Sequence, residues 1–468
     1  TAPPPSYTDG SPRAHRSFIL FTCVSLPQRR VSAQVGLDEA LDRFDSELPD
    51  RPTDPDSVID ELVRLAEPGI TSSAGPRFFG FVIGGALPAA SAADILAVGW
   101  DQTVFNAVLS PSGAAVEQAA GRWIKDLLGI PQHATVGFVT GAQASNTVGL
   151  AAARQHVLAR AGHDVSTRGL IGAPAVRVVA GTERHATIDA SLRLLGLGTD
   201  CIEPVATLPN GEIDTADLAR VLAEGSTGAS EASERPTIVC LQAGNVNTGA
   251  FDDLRAGCDI AHTYDAWVHV DGAFGLWAGA SPTLRHLVDG VDLADSWCMD
   301  AHKWLNVPYD SALAICAHPD AQVAAMSYSA AYLTGSEQAS YGPGDLVPES
   351  SRRARGFAVW AALKELGRDG VADLVDRCCA LARRFAEGLA AGGAEIVNDV
   401  VINQVLIDFP GRDVDAIAAE VQAGGTCWLG GTTWRGRRLL RVSVSNYATT
   451  EADVDMSVAA ILKAAAGH

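Results

Sequence analysis

From about residue 111 the chain alternates between short apolar runs and helical stretches. Five apolar runs have the length and composition of buried strands, and they lie at 137–139, 176–179, 237–241, 267–270 and 312–315. Helices are predicted between some of them, at 147–159 and 188–195. Because parallel strands separated by a helix need a crossover connection, this order predicts an α/β fold with a mainly parallel sheet flanked by helices.

Two regions precede this α/β segment and one follows it. Residues 1–35 lack periodicity and contain consecutive prolines, so they are predicted to be a disordered leader. In 36–110 apolar residues recur at helical spacing, which predicts a helical N-terminal segment. The large domain is then predicted at 111–365. Helices and strands alternate again in 366–468, which predicts a small α+β C-terminal domain.

Composition narrows the range of partners. Of the 468 residues, 55 are Asp or Glu and 35 are Lys or Arg, giving a formal net charge of −20 that would repel nucleic-acid phosphates and anionic lipids. The apolar run at 17–26 is too short to span a bilayer. We therefore expect neither a nucleic-acid nor a membrane partner. The nine cysteines show no zinc spacing, which favours reduced thiols in the cytoplasm and no metal site.

Polar residues just past predicted strands are the first candidates for a site, because ligands of open α/β sheets bind outside the carboxyl ends of the strands. The candidates are Gly141-Ala142-Gln143, His185, Asp271 and His302-Lys303. On position alone, Asp271 binds a metal, acts as a base, pairs with a ring nitrogen or merely caps a turn. Lys303 is followed by Trp and Leu, and apolar surroundings favour the neutral amine that forms imines. Taken alone, Lys303 is equally well a surface lysine with apolar neighbours.

Two longer motifs resemble the pyridoxal-phosphate-dependent group II amino-acid decarboxylases. They are His-Val-Asp-Gly-Ala-Phe-Gly at 269–275 and Asp-Ala-His-Lys-Trp-Leu at 300–305. The family includes aromatic-amino-acid, histidine and glutamate decarboxylases, and the resemblance extends from about Phe78 to the C-terminus. It implies the aspartate-aminotransferase-like fold (fold type I), pyridoxal 5′-phosphate (PLP) as cofactor and a homodimer.

The resemblance also implies roles for individual residues. Lys303 resembles the lysine that forms a Schiff base with the cofactor aldehyde, and Asp271 resembles the carboxylate that keeps the pyridine nitrogen protonated. Ala273 resembles the small residue beneath the ring, and His302 resembles a neighbour of cofactor and substrate. His185 resembles the histidine stacked on the other ring face, whereas without the resemblance it would be a solvated histidine at a helix start.

Several positions around the predicted cofactor depart from the family pattern. Ala142 and Gln143 occupy the phosphate-binding turn, where backbone N–H groups at a helix start hold the dianion, but the family usually has Ser or Thr in place of Gln143. Gln242 stands where the family often has Thr near the ring substituents. Asp300 stands where several relatives have Asn, and a carboxylate facing phosphate would be repelled unless turned away or protonated.

Three further predictions concern residues outside the central motifs. Tyr332 resembles the tyrosine of the catalytic loop, which delivers a proton after CO2 leaves; alternatively it anchors that loop to the body. Arg441 either binds a carboxylate with its guanidinium or forms a structural ion pair. The charge run that begins at Arg352 is interpreted as mainly solvated or as part of an interface.

Together these features predict an enzyme that decarboxylates an L-amino acid to the amine and CO2 through a Schiff base at Lys303. An aromatic or aliphatic substrate is favoured, because the resemblance places four apolar residues at the side-chain pocket: Phe79, Phe81, Val104 and Phe105. The same residues could instead belong to the core. Alternatives on the same scaffold are an aldehyde synthase, an aldolase-like enzyme and an aminotransferase. A degenerate regulatory dimer is disfavoured because the three central residues are present.

Overall fold

The computed structural model of the protein describes residues 29–226, 235–328 and 341–468. The predicted proton donor Tyr332 lies outside the described residues, as does most of the predicted leader. Within the described ranges no helix is both long enough and apolar enough to cross a bilayer.

The described residues form two β-sheets with helices packed around them. The strands are β1 (Thr135–Val139), β2 (Arg177–Gly181), β3 (Ile202–Val205), β4 (Thr237–Gln242), β5 (Trp267–Asp271), β6 (Ser296–Asp300), β7 (Ala312–Cys316), β8 (Glu395–Ile396), β9 (Gln404–Asp408), β10 (Gly430–Trp434) and β11 (Arg437–Ser443). The α-helices are α1 (Leu37–Phe44), α2 (Pro55–Ala66), α3 (Pro88–Gly99), α4 (Pro111–Leu128), α5 (Ala142–Arg160), α6 (Val165–Arg168), α7 (Ala186–Leu194), α8 (Thr215–Ser226), α9 (Leu254–His262), α10 (Pro319–Met326), α11 (Gly356–Ala391), α12 (Val414–Gly424) and α13 (Glu451–Gly467).

The larger sheet has seven strands in the order β1-β7-β6-β5-β4-β2-β3. β7 is antiparallel to both of its neighbours, and the other strands share one direction. Successive residues of β4 pack into apolar clusters on opposite faces of the sheet: Val239 belongs to one cluster and Ile238 to the other. The cluster of Ile238 also contains Leu150 and Val157 of α5. Both faces of the sheet are therefore buried, which explains the continuous apolar runs. The predicted mainly parallel α/β sheet is confirmed.

This direction of the strands determines where the candidate residues meet. The carboxyl ends of β1, β2, β4, β5 and β6 lie at one edge of the sheet, and the segments that follow them contain the candidates. β7 runs the other way, so its first residues lie at the same edge. The fold thus collects side chains from distant parts of the sequence at one place.

The smaller sheet is antiparallel, with the strand order β10-β11-β9-β8. Ile417 of α12 and Ile461 of α13 pack with Val442 of β11 in one buried cluster. The predicted small α+β portion of the fold is confirmed. The boundary predicted between residues 365 and 366 stays a prediction, because α11 passes through it and breaks only at Gly367 (φ 63°, ψ −177°).

Four strands, β3, β6, β8 and β10, were not predicted. β6 has the sequence Ser-Trp-Cys-Met-Asp, which contains no β-branched residue, so it carries little strand propensity. β10 begins with two glycines. Arg435 and Gly436 connect β10 to β11 with φ of 47° and 79°. Positive φ at both central residues is typical of a two-residue hairpin turn.

The interpretation of Arg352 as part of a solvated charge run is wrong. Its guanidinium is 3% exposed and donates to both carboxylate oxygens of Glu117, at 2.8 and 2.6 Å. Burial raises the pKa of the Glu117 carboxyl, and the charge of Arg352 opposes this effect. The pair connects α4 to the segment before α11, and these two parts of the chain are far apart in sequence.

The predicted helical N-terminal segment is confirmed, and it begins with two amphipathic helices. The Asp54 carboxylate caps α2 by accepting from the Ser57 N–H at 3.1 Å, and Pro55 occupies the first turn. Neither α1 nor α2 buries a residue in this chain. Leu41 and Ile59 remain 59% and 56% exposed.

Candidate active site

Lys303 follows β6, and its amine contacts the last residue of that strand. Lys303 Nζ lies 2.9 Å from Asp300 Oδ2, with side-chain exposures of 18% and 2%. Asp300 Oδ1 lies 3.4 Å from His302 Nε2. The Asp300 carboxylate is therefore directed at Lys303 and His302, and Lys303 is its ion-pair partner.

The backbone of Lys303 is held by two other segments of the chain. A Cβ on Gly84 would lie 1.9 Å from the Lys303 carbonyl oxygen, so only glycine permits this approach. Nearby, Asn306 Oδ1 accepts from the backbone N–H of Tyr447 at 2.9 Å, and Asn306 Nδ2 donates to the Ser445 carbonyl at 2.9 Å. These contacts fix the direction in which Lys303 leaves the sheet.

Asp271 is the last residue of β5 and is 6% exposed. Its Oδ1 accepts from the backbone N–H of Ala273 at 3.3 Å. Its Oδ2 accepts from Asn146 Nδ2 at 3.1 Å. Each carboxylate oxygen of Asp271 thus accepts a hydrogen bond, and the two bonds fix the orientation of the group. The Ala273 carbonyl in turn accepts from the Asp300 N–H at 2.8 Å, which links the ends of β5 and β6.

His185 is the N-cap residue of α7 and is half-buried. Its Nδ1 accepts from the Thr187 N–H at 3.2 Å, so the expected helix-start position is correct but the ring is not simply solvated. Burial lowers the pKa of His185. The charge of Asp271 opposes this shift and that of Lys303 adds to it, so the three groups are electrostatic neighbours.

The turn between β1 and α5 offers backbone N–H groups. Gly141 is the N-cap of the 19-residue helix α5 and provides no side-chain cap. The first N–H groups of Ala142 and its successors are therefore free of a capping side chain, as an anion site requires. The Gln143 side chain points elsewhere, since Nε2 donates to Ser191 Oγ at 2.9 Å. The group that Gln143 can offer here is its backbone N–H.

His302 lies beside this turn and is held in one tautomer. It is 8% exposed and stacks on Tyr309 with ring centroids 4.2 Å apart. Its Nδ1 accepts from the backbone N–H of Ser311 at 3.1 Å, so the hydrogen of the neutral ring is on Nε2. Within the described parts of the chain, the buried Ser311 Oγ has no hydrogen-bond partner. Burial lowers the pKa of His302, which favours this neutral form.

Gln242 ends β4 beside a buried acid. Its backbone N–H donates to Asp252 Oδ2 at 2.7 Å, and Asp252 Oδ1 accepts from the Ile213 N–H at 2.7 Å. Burial raises the pKa of Asp252 to about 7. Gln242, His185 and Asp271 line one pocket together with Asp252. The structure thus brings Gln242 to the same place as two other candidates.

Arg441 on β11 is half-buried, and its charge also acts on His185. Nη1 donates to the Val246 carbonyl at 3.1 Å. Among the residues that the structure describes, no carboxylate lies within ion-pair distance of Arg441, so the predicted structural ion pair is not observed. Burial lowers the pKa of Arg441 to about 10.

The apolar residues predicted to form a substrate pocket are distributed differently. Phe79 and Val104 are fully buried, and Phe79 packs edge-on against Phe385 at 4.8 Å. They belong to the core of this chain. Phe81 is 64% exposed and lies 5.2 Å from the Trp428 ring, while Phe105 is half-buried.

Asn146 and Asp252 contact candidate residues but were not identified from the sequence. Asn146 lies one helical turn after Ala142 on α5, within a face that is otherwise apolar and buried. A polar side chain on such a face is the signal that would have indicated it. Asp252 lies in an irregular segment, and no local pattern distinguishes it.

Comparisons with known proteins agree with this geometry. A sequence model described as the pyridoxal-dependent decarboxylase conserved domain matches residues 38–409. An aromatic-L-amino-acid decarboxylase of Bacillus atrophaeus is 27% identical over 362 residues, covering 77% of this chain and 72% of the relative. Tryptophan decarboxylase 1 of Oryza sativa subsp. japonica is 29% identical over 382 residues, covering 78% and 73%. A 4-hydroxyphenylacetaldehyde synthase of Rhodiola rosea is 26% identical over 415 residues, covering 85% and 82%.

Solved structures share the fold over nearly the whole chain. The crystal structure of Oryza sativa TDC with PLP and tryptamine has a TM-score of 0.90 at 24% identity, covering 100% of this chain and 99% of the other. Mouse CSAD has a TM-score of 0.86 at 22% identity, covering 97% and 99%. At these identities the likeness shows the fold, and it confirms the predicted fold type I architecture.

Proposed function

The chain belongs to the pyridoxal-dependent decarboxylase family, and on this premise we propose that Lys303, Asp271 and His185 form its catalytic centre. Membership makes the protein a PLP-dependent carboxy-lyase that converts an amino acid to an amine and CO2. The single observation that carries the residue assignment is the Lys303 amine at the carboxyl edge of the sheet, where its charge and that of Asp271 both act on His185.

The residues at this edge fit a phosphorylated pyridine aldehyde. Lys303 keeps 18% of its side chain accessible, and Asp271 offers a carboxylate to a ring nitrogen. The start of α5 has no side-chain cap, so its N–H groups can bind the phosphate. Asp300 does not prevent this, because its carboxylate is directed at Lys303 and His302. We propose Ala142, Gln143, Gln242, Ala273 and His302 as the remaining cofactor contacts.

When bound, PLP supplies an electron sink for the electron pair left by CO2. Lys303 would supply the amine that holds the cofactor aldehyde, and Asp300 would be the counter-ion of that amine whenever it is free. Asp271 would hold a proton on the ring nitrogen, and His185 would shield the ring from water. The charges and positions described above support these roles.

Arg441 is proposed to bind the carboxylate of the substrate. Support comes from its half-buried position near His185, with one hydrogen bond to a carbonyl and no acid partner among the described residues. A guanidinium offers a bidentate fork to a carboxylate. Holding the carboxylate in one orientation selects which bond to the α-carbon breaks.

The proposed substrate is an L-amino acid with an aromatic or aliphatic side chain. Phe81 lies on the segment whose Gly84 approaches Lys303, and its ring lies 5.2 Å from that of Trp428, which comes from the C-terminal part of the chain. Relatives with aromatic substrates in their names support the aromatic class. A second candidate is aldehyde formation, which the Rhodiola rosea relative favours. Tyr332 is proposed as the proton donor whose presence directs the reaction to the amine.

We further propose that the protein is a cytoplasmic homodimer. Among the described residues nothing buries the apolar faces of α1 and α2, and their exposure would cost about 25 cal/mol for each Å² left in water. A second copy that covers them would remove this cost. All cysteines of the described residues are free thiols, which fits a reducing compartment. Light scattering on the parent and on Leu41→Glu tests the dimer: the variant should give the monomer mass.

Borohydride reduction of the holoprotein tests the catalytic assignment. The reagent should fix the cofactor to the peptide that contains Lys303, as read by mass spectrometry after digestion. Lys303→Ala should lose both the label and turnover, whereas Lys364→Ala, which changes an exposed lysine, should keep both. Labelling of another lysine in the parent contradicts the assignment. Incubation with a panel of the standard amino acids, with mass detection of amine and aldehyde, then identifies the substrate.

A further inference from the structure

A buried polar network lies behind Asp271 and His185, and Asn146 is at its centre. Asn146 is fully buried on α5. Its Nδ2 donates to Asp271 Oδ2 at 3.1 Å and to Thr187 Oγ1 at 3.0 Å. Thr187 Oγ1 lies 2.8 Å from His185 Nδ1. One amide group therefore connects the carboxylate proposed to face the ring nitrogen with the histidine proposed to cover the ring.

The orientation of this amide is fixed from the opposite side. Asn146 Oδ1 lies 2.8 Å from His269 Nε2, and because a carbonyl oxygen only accepts, Nε2 carries the hydrogen. His269 Nδ1 then accepts from Ser296 Oγ at 2.8 Å, and the same oxygen accepts from Trp267 Nε1 at 2.9 Å. Reversing the amide would place Oδ1 against the carboxylate of Asp271. In this hydrogen-bond network, the partner of each group therefore determines which atom is the donor.

The surroundings of His269 keep this arrangement dry and neutral. His269 and Ser296 have no exposed surface, and Trp267 is 2% exposed. Burial lowers the pKa of His269 to about 4, so the ring is neutral near pH 7. A Cβ on Gly149 of α5 would lie 2.6 Å from His269 Cε1, so the close approach of the helix to the ring needs glycine at this position.

We propose that Asn146 is a positioning residue, which holds the Asp271 carboxylate in its charged form and fixes the His185 ring through Thr187. The inference rests on the function proposed above for Asp271 and His185. A donor to a carboxylate stabilises its charged form. Without the Asn146 donor, Asp271 Oδ2 loses the hydrogen bond that fixes the carboxylate, so the ring nitrogen loses a well-placed ionic partner and its proton is held less firmly. A merely structural Asn146 would change stability but not the protonation of the ring nitrogen.

The test compares two neighbouring variants of the holoprotein reconstituted with PLP labelled with ¹⁵N in the ring. Asn146→Leu removes the donor at similar volume. Ser145→Ala is the matched control, because the buried Ser145 hydroxyl donates to the Leu313 carbonyl at 2.6 Å and is not part of the network. The ¹⁵N shift should move toward that of unprotonated pyridine in Asn146→Leu and stay unchanged in the control. We expect kcat to fall roughly ten- to hundredfold, as for one hydrogen bond to a charged group, with KM within about threefold.

A second pair of variants keeps the test decisive if Asn146→Leu does not fold. His269→Gln retains an N–H donor for the Asn146 carbonyl, and His269→Leu does not. The glutamine variant should keep the parental ¹⁵N shift, and the leucine variant should change it. A parental shift and kcat in Asn146→Leu, or equal effects in the two His269 variants, overturns the proposal.

The variant Asp271→Asn separates this inference from the proposed function. If Asp271→Asn leaves the ¹⁵N shift unchanged, the role proposed for Asp271 is itself wrong. If Asp271→Asn changes the shift and Asn146→Leu does not, only the positioning role of Asn146 is contradicted.

Discussion

Lys303 Nζ and Asp300 Oδ2 lie 2.9 Å apart and form an ion pair in which the aspartate is buried and the lysine half-buried. Asp300 is the last residue of β6, and Lys303 lies three positions later in the segment that follows the strand. The pair explains how a carboxylate can replace the family's asparagine: its charge is balanced by the lysine whenever that lysine is free. It also means that Asp300 holds Lys303 Nζ in place until the cofactor arrives.

Asp300→Asn should therefore speed the binding of PLP to the apoprotein. Without the carboxylate, Lys303 Nζ loses the ion-pair partner that holds it at 2.9 Å, so the amine is freer to reach the cofactor aldehyde. Stopped-flow absorbance of cofactor incorporation between pH 6 and 9 measures the rate. An unchanged rate and pH profile would mean that the ion pair does not control the amine. Asp310→Asn, which changes an acid paired with Arg355, is the control.

The stability of the apoprotein should fall as the pH drops from 6.5 to about 4 because of His269. Its pKa is lowered to about 4 in the folded protein, so the unfolded chain binds a proton that the folded chain does not. The contribution of the neutral His269 ring to the free energy of unfolding is about 3 kcal/mol. It is complete above pH 6.5 and is lost as the pH falls toward 4. Urea unfolding at several pH values measures it. His269→Gln should flatten this part of the profile, and an equally steep profile in the variant would contradict the assignment.

In the presence of dissolved O2 as oxidant, Tyr332→Phe should divert the product from amine to aldehyde, with ammonia and hydrogen peroxide released beside CO2. The phenylalanine retains the ring but has no proton to give to the α-carbon. Mass detection of both products, with the best substrate of the amino-acid panel, gives the ratio. Tyr328→Phe, near the described end of the same segment, is the control and should leave the ratio unchanged. A parental ratio in Tyr332→Phe would favour the alternative interpretation, in which the tyrosine anchors the loop.

Glu117→Leu should destabilise the protein more than the double variant Glu117→Leu/Arg352→Met. The single change leaves the buried guanidinium of Arg352 without its partner, which costs about 3–5 kcal/mol, whereas the double change replaces the pair with apolar side chains. Urea unfolding of the parent and both variants at pH 7 makes the comparison. If the double variant is less stable than the single variant, the prediction is contradicted, and the ion pair stabilises the fold more than apolar side chains at these positions do.

The sequence indicated the α/β architecture because β2, β4 and β5 are rich in valine and isoleucine and lie between helices. It indicated Lys303 and Asp271 because they belong to specific local motifs. It did not indicate β6, whose residues have low strand propensity and form a strand because β5 and β7 flank them. The environments of Asn146 and Arg352 were also missed, since their partners come from distant segments. The predicted domain boundaries and the role of each site residue stay predictions.

The reversed direction of β7 has a consequence for His302. The donor that fixes the tautomer of this ring is the peptide N–H of Ser311, and the hydroxyl of Ser311 makes no hydrogen bond. Side-chain replacement at position 311 therefore leaves the donor in place, with proline as the single exception because it lacks the N–H. The proton on Nε2 that faces Asp300 is thus guaranteed by the main chain, and a screen of substitutions at 311 should tolerate small residues and reject proline.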